Sequence, residues 1–295
     1  MRCWNSTSDL KKHVFNSLKK ANISPSRYKG QNFLINASVV NFQINQANIK
    51  QSDIVLEIGG GNGTLTLCLA KLAKKLYVIE SDKRLVNYLE ELMSSFSNVE
   101  ILFGDAVKVP FPNFNKCVSN LPYQISSPIT FKLLENQFDN AILMYQKEFA
   151  QRLIANPGTK NYSRISVMLR LLASCKYLRT VKRGSYYPQP KIDSALVRIE
   201  PTKEKKVEDI KDFKVFNTVL FTLKKKLVLS ALNGFLKRKA KETTLHPHTI
   251  LDSLPYAERR IFTLTLEEII EIYSHLKKQT GEEVWQNIMY SRSTM

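Results

Sequence analysis

Ile54-Val55-Leu56-Glu57-Ile58-Gly59-Gly60-Gly61-Asn62-Gly63 is the stretch that decides the fold of this chain. Its apolar first half predicts a buried β-strand. The glycines that follow let the backbone turn tightly and approach a ligand closely. The loop lacks the Gly-Lys-Ser/Thr ending of a P-loop, and its Gly-x-Gly-x-Gly spacing differs from the Gly-x-Gly-x-x-Gly of a dinucleotide-binding fold. A strand followed by this loop indicates a ligand site without identifying the ligand.

Strand-like and helix-like patterns alternate downstream of the glycine loop. Residues 64–74, 84–93, 148–154 and 165–173 have helical spacing. This alternation indicates an α/β fold, with a mostly parallel sheet and helices on both of its faces. The further predicted strands lie at residues 76–79, 99–103, 118–120, 141–145, 177–181 and 195–199.

The character of the sequence changes after Pro201. Residues 203–214 form a charge-rich linker, and helical patterns follow, most clearly at 227–236 and 266–276. We therefore predict three parts. They are an N-terminal extension at residues 1–26, to which the sequence assigns no role, the α/β domain at 27–201, and a small α-helical domain at 202–295.

The formal charge of the chain is +18, which suggests a polyanionic partner, although a merely solvated basic surface is the alternative. No acidic residue occurs between residues 221 and 241, where basic residues cluster. Such clusters favour nucleic acid, because Lys and Arg gain affinity by displacing counterions from phosphates. The candidate RNA-binding residues are Lys224, Lys225, Lys226, Lys237, Arg238 and Lys239.

The four cysteines are Cys3, Cys68, Cys117 and Cys175, and they form no Cys-x-x-Cys pair. Their scatter predicts reduced core thiols in a cytoplasmic protein, with no metal site. No run approaches the roughly 20 apolar residues that would span a membrane, and nothing in the sequence requires more than a monomer.

Polar residues follow several of the predicted strands. Glu57, Glu80, Asp105 and Asn120 all lie at or near strand ends, and ligands of parallel sheets bind beyond the carboxyl ends of the strands. A carboxylate at Glu80 can accept hydrogen bonds from both hydroxyls of a ribose, and Asp105 can accept one from an adenine amine. Because the pocket predicted here has no pyrophosphate cradle, S-adenosyl-methionine fits it better than a nicotinamide dinucleotide.

The segment Asn120-Leu121-Pro122-Tyr123 contains the groups needed to hold a planar exocyclic amine such as N6 of adenine. The side-chain oxygen of Asn120 and the main-chain carbonyl of Leu121 can accept its two N–H bonds, and Tyr123 can stack on the base. Pro122 makes the turn rigid. An ordinary turn is the alternative, since Asn and Pro are common in turns, but the upstream motifs favour the catalytic interpretation.

Taken together, the motifs of this chain resemble those of the KsgA-type rRNA adenine N6,N6-dimethyltransferases, particularly their archaeal and eukaryotic members. The resemblance runs from about Lys29 to Glu200 and is weaker beyond. Its motifs occur in family order at residues 30–34, 57–63, 78–80, 104–106, 120–128, 146–153 and 187–191.

The resemblance implies a Rossmann-like methyltransferase sheet that binds S-adenosyl-methionine. The residues expected to contact this donor are Gln31, Asn32, Leu34, Glu57, Gly59, Gly61, Gly63, Glu80, Asp105, Ala106 and Asn120. Asn120, Leu121 and Tyr123 would be catalytic, and Tyr186 would stack on the other face of the target base.

The activity implied is methylation of two adjacent adenosines, each twice, in a hairpin near the 3′ end of small-subunit rRNA, within a pre-ribosomal small subunit. Three alternatives remain open from sequence. They are an Erm-like enzyme of large-subunit rRNA, a DNA adenine methyltransferase, and a non-catalytic RNA-binding assembly or transcription factor that keeps the fold.

Overall fold

The computed structural model describes residues 3–25, 30–240 and 250–290. The chain divides into two compact units, one made of residues 1–151 and 173–201, the other of residues 152–172 and 202–295. This division differs from the predicted one because residues 152–172 group with the C-terminal helices. Asn217, for example, donates its side-chain N–H to the carbonyl of Arg164 over 3.0 Å. The predicted boundary between residues 26 and 27 lies outside the described residues.

The first unit is built on a seven-stranded sheet. Its strands are β2 Ile54–Ile58, β3 Lys75–Glu80, β4 Val99–Phe103, β5 Lys116–Asn120, β6 Asn140–Gln146, β7 Ala173–Val181 and β9 Ser194–Pro201. Their order across the sheet is β4-β3-β2-β5-β6-β9-β7. The five strands from β4 to β6 run parallel, whereas β9 and β7 are antiparallel to their neighbours. The predicted α/β class, with its mostly parallel sheet, is thus confirmed.

A short antiparallel pair stands apart from the main sheet. Strand β1, Phe33–Leu34, pairs with β8, Tyr186–Tyr187. The carbonyl of Ser185 extends this pairing by accepting a hydrogen bond from the amide of Ile35 over 2.8 Å. The pair joins segments that are far apart in sequence, and it contributes to the site described below.

Helices flank the sheet because their apolar residues recur at helical spacing. In α4, residues Leu85, Val86, Leu89 and Met93 are all buried. The predicted helix at 64–74 is shorter in the structure, where only Thr66–Ala70 is α-helical and turns precede and follow it. The helices that lie in or begin in this unit are α1 Thr7–Lys20, α2 Ala37–Ala47, α3 Thr66–Ala70, α4 Lys83–Met93, α5 Ser126–Leu134 and α6 Lys147–Leu153.

The cysteine prediction is wrong for two of the four residues. Cys3 and Cys68 form a disulfide, with their Cα atoms 5.6 Å apart across a sequence separation of 65 residues. The physical reason is long-range packing, since Asn41 holds the segment before α1 by accepting hydrogen bonds from the amides of Cys3 and Trp4. Cys117 and Cys175 are free thiols.

The second unit is helical in its described part. Its helices are α7 Arg164–Leu172, α8 Ile210–Thr222, α9 Val228–Ala240, α10 Leu266–Thr280 and α11 Glu282–Tyr290. Asp212, which is fully buried, ties three of them together. Its Oδ2 atom accepts hydrogen bonds from the Tyr273 hydroxyl at 2.7 Å and the Trp285 indole at 2.6 Å. Among the residues that the structure describes, no helix is long and apolar enough to cross a membrane.

Candidate active site

A cavity of about 650 Å³ opens at the carboxyl ends of the parallel strands in the first unit. This size suits a nucleoside-sized ligand. Its wall brings together nearly every residue that the sequence predicted for the cofactor and the chemistry. Those residues are Gln31, Asn32, Leu34, Glu57, Gly59, Gly61, Glu80, Asp105, Ala106, Asn120, Leu121, Tyr123 and Tyr186.

Glu80 ends β3 with a carboxylate that the backbone orients. Its Oε1 atom accepts hydrogen bonds from the amides of Ser81 and Asp82 at 2.8 and 2.9 Å, and its Oε2 atom accepts one from Gly61 at 2.9 Å. Each carboxylate oxygen has two lone pairs, so Oε2 retains capacity for a further donor. The side chain is therefore fixed in place before any ligand arrives.

The glycine loop turns tightly because three of its glycines, Gly59, Gly61 and Gly63, adopt positive φ values that side chains rarely tolerate, and the first two line the cavity. Gly59 has φ +78° and Gly61 has φ +56°. A Cβ added to Gly59 would lie 3.4 Å from the Pro122 ring, so the loop and the Asn-Leu-Pro-Tyr turn pack side by side. Gly63 is not part of the cavity wall, because it turns the chain towards Leu92 on α4.

Asp105 begins a tight turn beyond β4. Its Oδ1 atom accepts a hydrogen bond from the amide of Val107 over 2.9 Å, and Asp105 lines the cavity. Lys132 on α5 holds this turn from outside, donating to the carbonyls of Ala106 at 2.8 Å, Val107 at 3.2 Å and Val109. Sequence reasoning missed Lys132, because nothing in its own helix signals contact with a turn more than twenty residues earlier.

Asn120 is the last residue of β5 and lies opposite Met144 of β6. Its Oδ1 atom is buried and has no hydrogen-bond partner among the described residues. Just before it, the Ser119 hydroxyl accepts a hydrogen bond from the amide of Ile58 over 2.8 Å, which ties β5 to the start of the glycine loop. An unpartnered acceptor thus stands in the cavity wall on a braced strand.

Tyr123 and Tyr186 lie together at the cavity wall. The Tyr123 hydroxyl is 2.6 Å from the hydroxyl of Ser194, and the Tyr186 hydroxyl donates to the sulfur of Met144. Burial raises the pKa of both phenols, that of Tyr186 well above its usual range. Both side chains therefore stay protonated near neutral pH and present aromatic rings rather than a base. Ser194 and Met144 were not predicted, because their strands carry no motif of their own.

Glu57 lies at the inner end of the cavity and is 1% exposed. Burial raises the pKa of its carboxyl well above the usual range, the polar side chain of Thr66 opposes that shift, and the nearby Glu80 carboxylate adds to it. The Oε2 atom has no hydrogen-bond partner among the described residues.

The segment before α2 closes one side of the cavity. Gln31 donates its side-chain N–H to Asp82 over 3.2 Å, and the side chain of Asn32 donates to the carbonyl of Gly30 over 3.3 Å. Leu34 lies in β1, in register with Tyr186 of β8. The β1–β8 pair therefore carries both Leu34, a candidate for binding the methyl donor, and Tyr186, a candidate for stacking on the target base.

Helix α1 and the residues before it pack on the back of the glycine loop, a contact that the sequence did not reveal. His13 Nε2 lies 2.9 Å from the carbonyl of Asn62, and the Trp4 indole donates to the carbonyl of Thr64 over 3.1 Å. Burial lowers the pKa of His13, although its hydrogen bond to Asn62 opposes that shift. The imidazole is therefore neutral near pH 7 and donates to the loop.

The candidate RNA-binding residues lie in the second unit and are not equivalent. Lys225, Lys226, Lys237 and Arg238 are exposed, whereas Lys224 is half-buried and donates to the carbonyls of Lys160 and Tyr162 at 3.1 and 3.0 Å. Lys224 thus forms hydrogen bonds within the second unit, which the sequence did not reveal. The side chain of Lys239 lies outside the described residues.

A pocket beyond the carboxyl ends of parallel strands is where open α/β sheets bind nucleotides and related ligands. The sequence matches the family model "Ribosomal RNA adenine dimethylase" over residues 24–273. The chain therefore belongs to the ribosomal RNA adenine dimethylase family. This membership confirms the predicted resemblance and the predicted enzyme class, an rRNA adenine methyltransferase.

Individual relatives agree with the family assignment. A Pyrococcus furiosus protein named "Probable ribosomal RNA small subunit methyltransferase A" is 46% identical over 276 residues, covering 92% of this chain and 98% of its own. A dimethyladenosine transferase from Plasmodium falciparum has a crystal structure with TM-score 0.75 and 32% identity, covering 84% of this chain and 98% of that one. The 23S rRNA methyltransferase ErmE gives TM-score 0.62 and 26% identity, covering 83% and 100%.

Proposed function

We propose that this chain dimethylates N6 of two adjacent adenosines in a hairpin near the 3′ end of small-subunit rRNA, using S-adenosyl-methionine. The family membership supports the reaction, and relatives named as small-subunit enzymes support the choice of RNA. We further propose that it acts in the cytoplasm, as a monomer, on a pre-ribosomal small subunit. The strongest structural support is the unpartnered side-chain oxygen of Asn120.

A buried acceptor without a partner costs about 1–3 kcal/mol, so its retention needs a reason. Asn120 lies in the cavity wall, on a strand braced at Ser119 and beside the rigid Pro122. An N–H of the substrate amine would satisfy its side-chain oxygen, and the carbonyl of Leu121 would accept the second N–H. The turn would then orient the amine without contributing a base.

The residues present fit the methyl donor. Glu80 is aligned by three backbone amides and can accept from ribose hydroxyls. Asp105 keeps one carboxylate oxygen for an adenine amine. Glu57 adds a buried oxygen without a partner among the described residues. When bound, S-adenosyl-methionine supplies an electrophilic methyl group on a sulfonium centre.

The N6 amine of adenine is a weak nucleophile, because its lone pair is delocalised into the ring. Two acceptors at Asn120 and Leu121 would favour a pyramidal amine with its lone pair directed at the methyl group. Proximity and alignment then provide most of the rate gain. The proton can leave to solvent after transfer, which agrees with phenols at Tyr123 and Tyr186 whose raised pKa values keep them protonated.

The aromatic rings of Tyr123 and Tyr186 are the proposed stacking faces for the extruded base. They also suit the positive charge that develops on N6 during transfer. The exposed cations Lys225, Lys226 and Lys237 are the proposed phosphate contacts of the second unit.

The test of this function is incubation of undermethylated small subunits with labelled methyl donor, followed by mapping of the modified nucleotides. We expect two neighbouring adenosines near the 3′ end of the RNA to become dimethylated. Labelling of large-subunit RNA instead would indicate an Erm-like enzyme, and donor binding without any labelling would indicate an assembly factor.

The Asn120→Ala variant tests the role of the turn. We expect its single-turnover rate to fall at least about 100-fold, as when one preorganised polar contact to a transition state is removed, while RNA binding persists. Asn140→Ala is the matched control, because Asn140 Oδ1 is also buried and unpartnered among the described residues but lies at the opposite end of the neighbouring strand. A wild-type rate in Asn120→Ala, or an equal loss in both variants, would contradict the proposed role.

A further inference from the structure

An exposed aromatic pair lies beside the cavity and takes no part in the site described above. Phe15 on α1 is 45% exposed and Tyr187 on β8 is 41% exposed, yet their ring centroids are 4.8 Å apart in an edge-to-face arrangement. Two large aromatic side chains that meet at the surface leave apolar area in water that a partner could cover. Neither residue belongs to the wall of the cavity.

The aromatic pair lies next to Tyr186, the residue proposed to stack on the target base. Tyr187 follows Tyr186, which lines the cavity, and lies in register with Phe33, which also lines it. The strand pair is held further by Ser185, whose carbonyl and hydroxyl accept hydrogen bonds from Ile35 and Asn36. The exposed pair therefore sits on a braced element, one residue away from the proposed stacking face.

The charges around Phe15 indicate the chemistry of the partner. Lys11, Lys12 and Lys19 lie four residues before, three before and four after Phe15 on α1, and all are exposed. Residues at these spacings are neighbours on a helix surface. Asp9 is the acidic residue of this helix, and it lies at the N-terminal end, where Ser6 binds it.

A membrane does not fit this face, because the apolar side of α1 is already buried. Leu10 and Val14 are 0% exposed and Leu18 is 6% exposed, which leaves a single phenyl ring among lysines. An exposed aromatic ring with lysines beside it suits a nucleotide, whose base stacks on the ring while its phosphates meet the ammonium groups.

We propose that Phe15 and Tyr187 form a stacking platform for a nucleotide that flanks the extruded adenosine, with Lys11, Lys12 and Lys19 contacting its phosphates. Extrusion of one base removes a stacking partner from its neighbour, and the platform replaces that contact. The proposal rests on the proposed function, since it assigns a second base to the same site.

The test compares Phe15→Ala with a matched control, Phe103→Ala, in steady-state methylation of undermethylated small subunits. Phe103 is 57% exposed in the same unit and lies 5.3 Å from the ammonium group of Lys83, so it matches Phe15 in type, exposure and cationic neighbourhood. We expect Phe15→Ala to raise KM for the RNA substrate roughly tenfold, as alanine replacements at base-stacking positions do. Phe103→Ala should stay within about twofold of wild type, and donor affinity should be unchanged in both variants.

Two further variants separate stacking from simple apolar contact. Phe15→Tyr should retain the wild-type KM, whereas Phe15→Leu, which keeps apolar volume without an aromatic face, should behave like Phe15→Ala. A wild-type KM in Phe15→Leu would overturn the stacking proposal. So would a defect that appears on assembled subunits but not on the isolated hairpin RNA, because the partner would then be a protein.

Failure of the stacking proposal can be distinguished from failure of the proposed function. If wild-type enzyme does not methylate small subunits, the proposed function fails and the platform fails with it. If wild-type enzyme is active and Phe15→Ala retains its KM, only the platform fails. A fluorescent base analogue beside the target adenosine gives a readout independent of turnover, with quenching in wild type that is reduced in Phe15→Ala.

Discussion

Lys132 offers the sharpest test of how the cavity wall at Asp105 is held together. Its ammonium group donates to the carbonyls of Ala106, Val107 and Val109, and it lies 4.3 Å from the centroid of the Phe111 ring. These contacts fix the turn that begins at Asp105, although Lys132 itself is not part of the cavity wall. The perturbation is Lys132→Met, which keeps most of the apolar stem and removes the donor.

The expected loss of stability follows from the hydrogen bonds that the variant lacks. A hydrogen bond from a charged donor contributes about 1.5–3 kcal/mol. Three bonds here share one ammonium group, and the side chain is only half-buried, so water partly replaces it in the variant. We therefore expect the free energy of unfolding to fall by about 2 kcal/mol. If about 1 kcal/mol of that loss is local to the turn, apparent affinity for S-adenosyl-methionine falls about fivefold.

The assay is isothermal titration with S-adenosyl-methionine, combined with urea unfolding of the same preparation. Lys108→Met is the matched control, because Lys108 is exposed on the same turn and its replacement makes the same change of charge. We expect wild-type values for that variant. Wild-type affinity and stability in Lys132→Met would refute the reasoning, and so would equal losses in both variants.

Two further outcomes follow from the described contacts. Because burial lowers the pKa of His13 below its usual value of about 6.5, the unfolded chain binds its proton more tightly. The contribution of His13 to stability is therefore complete above that value and is lost as the pH falls below it. His13→Gln should flatten the dependence of unfolding free energy on pH as the pH falls below about 6.5, as urea titrations would show. In the second unit, replacing Lys225 and Lys226 by Gln should reduce the slope of log affinity for RNA against log salt by about one to two. Lys224→Gln should instead lower stability, because its ammonium group holds two carbonyls, and an unchanged salt slope in the double variant would remove this patch from the RNA contact.

The sheet and most of the site could be predicted, because both follow local rules. A buried strand is an apolar run, and in a parallel sheet all such runs end at one edge. Glu57, Glu80, Asp105 and Asn120 were therefore expected to meet, and they line one cavity. Gly63 shows the limit of this reasoning, since a glycine loop in sequence does not reveal which glycine faces the ligand and which faces Leu92.

The features that sequence reasoning missed depend on contacts between distant segments. The β1–β8 pair has two residues on each side, too few for a periodic pattern. The Cys3–Cys68 disulfide and the His13 contact with the glycine loop both require knowing where α1 packs. In the sequence, Lys132 looks like an ordinary surface lysine, because its contacts with the turn beyond β4 are visible only in the structure.

Asn120 and Asn140 together show what an unpartnered buried oxygen does and does not indicate. Both side-chain oxygens lack a hydrogen-bond partner among the described residues, so this property alone does not mark an active site. Asn140 begins β6 at the amino end of the sheet, whereas Asn120 ends β5 in the wall of the cavity. Under the proposed function an N–H of the substrate satisfies the Asn120 oxygen, whereas Asn140 is not part of the cavity wall.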